Sequence, residues 1–257
     1  MATDHPSTKV ALITGGSRGV GRATALLLAS RNYDVAINHR DSEAQAEESV
    51  SEIESLGAKA VVVQGDTSDD EACRAMVTAT LAKFGRLDVL VNNAATTKFI
   101  PHDQMEAVST ELWDRIFAVN VRGPFQCARA AREALEASGK GHIINIASIA
   151  GICANGSSIP YCASKAALIS LTQSLARTLA PTIRVNAIAP GFIDSQWTHE
   201  GLGDDYDAMA TRSEAGAALG KIAQPEDVAE AVVSLLEGSR LVTGQTLVVD
   251  AGALLGR

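Results

Sequence analysis

Short runs rich in Val and Ile recur along the chain with little polar alternation, and each is followed by a longer stretch with helical spacing of its apolar positions. Val10 to Thr14, Asp34 to Asn38, Ala60 to Gln64, Asp88 to Asn92, His142 to Ala147, Ile183 to Ile188 and Thr246 to Asp250 read as strands. Their lack of alternation is expected when both faces of a sheet are covered. Gly21 to Ser30, Ser42 to Leu56, Asp69 to Phe84, Glu111 to Ala137, Tyr161 to Ala180 and Pro225 to Leu236 read as helices. Strand and helix in strict succession predict an α/β fold with a doubly wound parallel sheet of seven strands and helices on both faces. No linker or internal repeat divides the sequence, so residues 1–257 are expected to form a single domain. One segment breaks the rhythm: from about 192 to 220 the chain is partly acidic and weakly periodic, and is expected to be a lid over a site.

Composition narrows the picture. The chain has 257 residues, 46% hydrophobic and 20% charged, as in an ordinary globular protein. Its formal net charge of −8 argues against nucleic acid or an anionic membrane as partner, since both reward positive charge. The four cysteines, at 73, 127, 153 and 162, make no Cys-x-x-Cys and no zinc-like cluster, so no metal is expected and the thiols read as reduced. Met1 to Lys9 is polar and lacks the apolar core of a signal peptide. No run approaches the roughly 20 apolar residues of a membrane span. A cytoplasmic location is expected.

The first candidate chemistry follows the first strand, in Thr14-Gly15-Gly16-Ser17-Arg18-Gly19-Val20-Gly21. Glycines there allow a sharp turn and let a pyrophosphate approach N–H groups at a helix N-terminus. The bland alternative is a strand-to-helix turn, but the strand before and the helix after favour a cofactor. Thr-Gly-x-x-x-Gly-x-Gly, then Asn92-Asn93-Ala94, then Tyr161-x-x-x-Lys165 resemble, in that order, the short-chain dehydrogenase/reductase family. The resemblance runs from about Lys9 to Gly252 and implies a Rossmann-type dinucleotide-binding and catalytic domain. Departures are Ala95 for the family's usual Gly, Ala251 for Gly, and Ser195 for Thr.

The end of the second strand bears on the choice between NAD and NADP. An acidic residue there would bind the ribose 2′-OH and repel a 2′-phosphate. This chain has His39 at the matching position, followed by Arg40, with Arg18 in the glycine loop. Two guanidinium groups suit a phosphate. NADP(H) is therefore expected, with NAD(H) as the alternative. Asp41 would favour the ribose if the register slipped, and both arginines could be solvated surface charge. By resemblance, Gly15, Ser17, Arg18, Gly19 and Val20 hold the pyrophosphate end, and Asp66 and Thr67 the adenine. Asn93, Ala94, Pro190, Gly191, Ile193 and Ser195 surround the remainder, with Tyr161 and Lys165 at the nicotinamide ribose. Asp66 also reads as a simple helix cap.

Carbonyl reduction needs a proton donor within reach of the oxygen. Tyr161 and Lys165 stand at i and i+4, so a helix brings them together. A nearby ammonium favours the phenolate and lowers a tyrosine's pKa. The family resemblance makes Tyr161 the general acid/base, Lys165 its pKa-lowering partner, Ser148 the group that polarises the substrate oxygen, and Asn120 the holder of a relay water near Lys165. Candidate substrate walls are Thr96, Thr97, Ile149, Cys153, Ile159, Phe192, Trp197 and Met209, mostly apolar, which suits a medium-sized ketone or β-keto ester. His199 reads as solvated.

These readings converge on an NADPH-dependent oxidoreductase acting on a small-molecule ketone or secondary alcohol. The nearest named resemblance within the family is to 3-oxoacyl-(acyl carrier protein) reductases, so a 3-oxoacyl-thioester reductase is the enzymatic alternative. Arg129, Arg132 and Arg177 are available to an acidic carrier, but Glu133, Glu136 and the lid's Asp204, Asp205 and Asp207 oppose one. A non-catalytic dinucleotide sensor is the third reading. By resemblance, the helices beginning at Glu111 and Tyr161 pair between subunits of a homotetramer, or of a homodimer.

Overall fold

In the computed structural model, residues 8–256 are described; the polar N-terminal reading of residues 1–7 lies outside them. The chain alternates strands β1 (Lys9–Ile13), β2 (Tyr33–His39), β3 (Ala60–Gln64), β4 (Val89–Asn92), β5 (Gly141–Ile146), β6 (Ile183–Pro190) and β7 (Thr246–Val249) with helices. These are α1 (Gly19–Ser30), α2 (Glu43–Ser55), α3 (Asp70–Phe84), α4 (Thr110–Phe117), α5 (Gly123–Ala137), α6 (Ala150–Cys153), α7 (Ile159–Leu179), α8 (Gln196–Leu202), α9 (Tyr206–Gly216) and α10 (Pro225–Glu237). The seven strands pair in the order β3-β2-β1-β4-β5-β6-β7, and every pairing is parallel. The expected doubly wound sheet is therefore present.

The uninterrupted apolar strands are explained by two cores. Ala11, Ile13, Val35, Ile37, Val91 and Ile144 face one layer, filled by Ala25 and Leu28 of α1, Ile53 of α2 and Val228 and Val232 of α10. Val10, Leu12, Leu90, Ile143 and Val185 face the other, filled by Met76 of α3, Ala131 and Leu135 of α5 and Leu175 of α7. Successive strand residues thus alternate between two dry layers, and neither set can be polar. Sheet order reverses between β1 and β4, where chain crossovers diverge and a crevice opens at the carboxyl ends of the strands. No helix among the described residues is long and apolar enough to cross a membrane.

Two elements differ from expectation. The helix expected from Glu111 to Ala137 is divided by a π-helical turn over Ala118–Arg122. Pro124 has no N–H to return to the Asn120 carbonyl four residues back, so the regular ladder lapses there. The segment from 192 to 220 is largely helical: α8, a short 3₁₀ turn at Gly203–Asp205, and α9. Its weak periodicity follows from shortness, since α8 has seven residues and buries Thr198 alone. The base of this segment is pinned by a bridge between Ile193 and Ala223, with Asp194 N–H donating to Ala223 at 2.9 Å.

Candidate active site

A cavity of about 1320 Å³ lies along the carboxyl ends of the strands, from the glycine loop and the end of β2, past β4 and β5, to the lid helices. At its first end, Gly15 and Gly19 have φ of +61° and +54°, in the left-handed region that glycine alone enters freely. A side chain at Gly21 would overlap the Gly15 carbonyl oxygen and come to 2.6 Å from Asn93 Nδ2. Arg18, the N-cap of α1, supplies no side-chain cap, so the first-turn N–H groups of α1 are left to an incoming acceptor. These features fit the pyrophosphate of a dinucleotide. Asn38 braces the loop: its Oδ1 accepts from Gly15 N–H at 3.2 Å, and its Nδ2 donates to Val63 and Gly65 carbonyls at 3.1 and 3.0 Å. A polar residue inside an apolar strand was the signal for this brace, and the motif reading passed it over.

His39 is the last residue of β2 and is buried, its Nδ1 without a hydrogen-bond partner, beside the cavity. An orphaned donor or acceptor at that place is what a ribose-bound group would satisfy. Arg40 and Asp41 follow and pair with each other, while Arg18 pairs with Glu200 of α8 at 3.1 Å. The register is thus the one expected, with His39 rather than Asp41 at the strand end.

Asp66 and Thr67 line the cavity as expected. The Asp66 carboxylate is already engaged, accepting from Ser68 N–H and Oγ at 2.9 and 2.8 Å and from Arg115 at 2.8 Å. Although burial opposes it, the hydrogen bonds from Ser68 and Arg115 hold this carboxyl below its ordinary range. Arg115, which no motif marked, also lines the cavity.

At β4, Asn93 donates to the Thr14 and Gly15 carbonyls at 2.9 Å each, and Thr14 Oγ1 accepts from the N–H groups of Asn93 and Ala94 at 3.0 Å. These bonds weld the β1 and β4 loops into one floor. Ser17, Arg18, Gly19, Val20, Asn93, Ala94, Pro190, Gly191, Ile193 and Ser195 all face the cavity. Ser195 also caps α8, closing a capping box with Thr198.

Ser148, Tyr161 and Lys165 line the same cavity. Tyr161 and Lys165 retain only 8% and 2% of their surface exposed. Lys165 Nζ lies 5.6 Å from the Tyr161 ring centre and donates to the Ile146 carbonyl at 2.7 Å. Burial pushes the Tyr161 hydroxyl well above the ordinary tyrosine range, opposed by its hydrogen bond with Ser148. Burial also brings Lys165 down to about 7. Burial thus moves both groups toward their neutral forms, and Ser148, not the ammonium, is the neighbour that opposes the rise at Tyr161.

Four expected site residues are placed elsewhere. Asn120 is buried behind the cavity, its Oδ1 accepting from Thr96 N–H at 2.8 Å and its Nδ2 donating to Thr96 O and Ser164 Oγ at 3.0 Å. It fastens the loop after β4 to α7 instead of facing the cavity. Thr97 turns aside to pair with Ser157 Oγ at 2.7 Å. Cys153 is exposed, its Sγ toward the Asn155 carbonyl, because α6 ends there and Ala154 takes φ of 55°. Ile159, at the start of α7, likewise does not line the cavity. Thr96, Ile149, Phe192, Trp197 and Met209 do line it, joined by Phe99. Trp197 of the lid packs between Phe99 and Tyr161, with ring centres at 6.3 and 6.1 Å. His199 is not free in solvent: it stacks on Tyr206 at 3.5 Å and pairs with Asp194 at 2.9 Å.

The comparisons agree with this fold. The family profile described as Enoyl-(Acyl carrier protein) reductase matches residues 15–253. A provisionally named ketoacyl reductase 2 of the granaticin polyketide synthase of Streptomyces violaceoruber is 40% identical over 255 residues, covering 99% of this chain and 100% of that protein. A 3-oxoacyl-(acyl-carrier-protein) reductase of Staphylococcus aureus is 38% identical over 248 residues, 95% of this chain and 98% of that one. The crystal structure of a provisionally assigned short-chain dehydrogenase/reductase from Burkholderia xenovorans superposes with a TM-score of 0.91 at 35% identity, covering 98% and 100% of the two chains.

Proposed function

We infer that this chain, which belongs to the short-chain dehydrogenase/reductase family, is an oxidoreductase that uses NADPH to reduce a ketone to a secondary alcohol, with Tyr161 as general acid/base. The observation that carries this reading is the convergence of Ser148, Tyr161 and Lys165 on the cavity that the glycine loop opens into. A bound nicotinamide dinucleotide supplies the hydride. Tyr161 gives its hydroxyl proton to the carbonyl oxygen, and its high pKa keeps that proton in place until the oxygen becomes basic. Ser148 donates a second hydrogen bond to the same oxygen, which holds it in line with Tyr161. Lys165, charged below about 7, stabilises the phenolate that proton transfer leaves behind. Asn120 acts at one remove, by holding Thr96 and α7 in register.

The 2′-phosphate of NADPH is assigned to Arg18 and Arg40, with His39 beneath the ribose; the absence of a carboxylate at the end of β2 supports it. The lid's Trp197 and Phe192, with Ile149 and Met209, favour an apolar ketone or β-keto ester. A second reading, reduction of a 3-oxoacyl thioester, is favoured by the named activities of the relatives. A dinucleotide sensor without turnover has no use for an intact Ser-Tyr-Lys trio lining the cavity. Exposed Trp113 of α4 and Phe125 of α5 support assembly with further copies as a homotetramer or homodimer, and the free thiols suit the cytoplasm.

The test is NADPH oxidation with ethyl acetoacetate and an acetoacetyl thioester, side by side on wild type and Tyr161→Phe. Turnover of the ester that is comparable or better, and lost in the variant, is expected. A kcat/KM much higher for the thioester selects the second reading. Turnover that survives in Tyr161→Phe removes the tyrosine mechanism.

A further inference from the structure

Arg18 and Glu200 stand 182 positions apart in the chain and meet at 3.1 Å, joining the glycine loop to the lid. Both remain about half exposed, at 45% and 51%, so the pair is solvated and exchangeable. Glu200 is held in place from its other oxygen: Gln196 Nε2, one helical turn earlier on α8, donates to Oε1 at 2.7 Å. Its Oε2 is thereby presented to Arg18. Among the described residues no other ion pair connects the glycine loop to the lid. The guanidinium that the proposed function assigns to a 2′-phosphate is therefore already occupied by a carboxylate. Three residues before Glu200 on the same short helix is Trp197, seated against Tyr161.

We propose that Glu200 is a determinant of cofactor choice: its carboxylate competes with the 2′-phosphate for Arg18, and a phosphate that wins Arg18 releases α8 from the glycine loop. The proposal rests on the assignment of Arg18 to the 2′-phosphate. Glu200 opposes NADP(H) in two ways that share one sign. It must surrender its ion pair, and it remains a like charge near the bound phosphate. NAD(H) has no phosphate at that position and leaves the latch closed. Glu200 is thus a positioning residue, acting through Arg18 and the lid, and touching no reacting atom.

Dissociation constants for NADP⁺ and NAD⁺, measured by calorimetry on wild type, Glu200→Gln and Arg18→Ala, test this. Glutamine keeps an acceptor for Gln196 and removes the charge. NADP⁺ is expected to bind Glu200→Gln about two- to fivefold tighter than wild type, the range of an exposed ion pair, with NAD⁺ unchanged. A merely structural role would shift both cofactors together. The lid is read by Trp197 emission in a Trp113→Phe background, which leaves Trp197 as the lone tryptophan. The probe is adenosine 2′,5′-bisphosphate, which lacks a nicotinamide to quench the indole, against 5′-ADP as the isomeric control without a 2′-phosphate. The 2′,5′ isomer is expected to change the emission, the 5′ isomer to leave it, and Glu200→Gln to abolish the difference. If wild type prefers NADP⁺, Arg18→Ala loses that preference and Glu200→Gln leaves it unaltered, the proposal is overturned while the assignment of Arg18 stands. If Arg18→Ala leaves NADP⁺ affinity unchanged and Glu200→Gln binds the two dinucleotides as wild type does, the assignment of Arg18 falls and takes the proposal with it.

Discussion

Tyr161 and Lys165 show how far burial sets the chemistry of single residues here. Each lies against the apolar interior, and each is displaced toward its neutral form, Tyr161 upward and Lys165 down to about 7. The consequence for pH has a definite sign. In the proposed mechanism Lys165 assists proton transfer only when charged, and with burial bringing it down to about 7 that charge is lost as pH rises through that value. The kcat/KM for ketone reduction is therefore expected to be level in mild acid and to fall about tenfold per pH unit above the apparent pKa near 7, because kcat/KM reports groups of the free enzyme. A profile flat from pH 6 to 9 would show that the lysine keeps its proton. Removing the hydroxyl alone, in Tyr161→Phe, is expected to lower kcat by about 10²- to 10⁴-fold while the NADPH dissociation constant stays within twofold, since the ring and its contact with Trp197 survive.

At the scale of elements, what was legible in the sequence depended on how locally each signal was written. The strands were plain because both of their faces are dry, and the glycine loop because its backbone needs positive φ and a close approach that only glycine permits. Gly21→Ala carries that argument to a measurement. The added methyl collides with the Gly15 carbonyl and crowds Asn93, so about 1–3 kcal/mol of stability should be lost, seen in urea unfolding, together with most dinucleotide affinity. Full affinity in this variant would mean that the loop does not cradle the cofactor. Other elements were not legible because their cause lies in distant partners. Asn120 reads as a helix-interior residue, and nothing near it in sequence announces Thr96 or Ser164. Thr97 and Cys153 read as walls in the sequence, but Thr97 pairs with Ser157 and Cys153 is exposed where α6 ends. The lid hid its helices because they are short and anchored by polar contacts. Asp194 is the hub: it accepts from Tyr206 at 2.6 Å, from His199 at 2.9 Å and from Gln224 at 3.4 Å. Asp194→Ala should raise KM for the ketone about three- to tenfold by loosening α8 and α9, with NADPH affinity little changed. Equal loss of both affinities would show that Asp194 supports the whole cavity rather than the lid.

The whole molecule carries a net charge of −8, and the arrangement of that charge bears on whether its substrate arrives free or on an acidic carrier. Long-range attraction of a carrier would require uncommitted cations near the mouth of the cavity. On α5, Arg129 is taken by Asp70 at 2.6 Å and Arg132 by Glu136 at 2.8 Å. At the lid, Asp204, Asp205 and Asp207 are exposed, and Arg18 is met by Glu200. Among the described residues Lys98, Arg177, Arg212 and Lys221 remain exposed outside these ion pairs, too few to outweigh a net charge of −8. An acidic carrier therefore meets net repulsion, which salt screens over about 8–10 Å at physiological ionic strength. With NADPH saturating, so that cofactor binding does not limit, kcat/KM for a 3-oxoacyl group on an acyl carrier protein is expected to rise or hold level as NaCl goes from low to physiological concentration and beyond. The same measurement on ethyl acetoacetate, which is neutral, should stay flat and serves as the control. A steep fall with salt for the carrier-bound substrate alone would reveal electrostatic steering by a basic surface, and would make the thioester the physiological substrate despite the overall charge. A flat or rising profile, joined to efficient turnover of the simple ester, leaves the apolar cavity as the principal selector of substrate and the acidic exterior as a barrier to carriers.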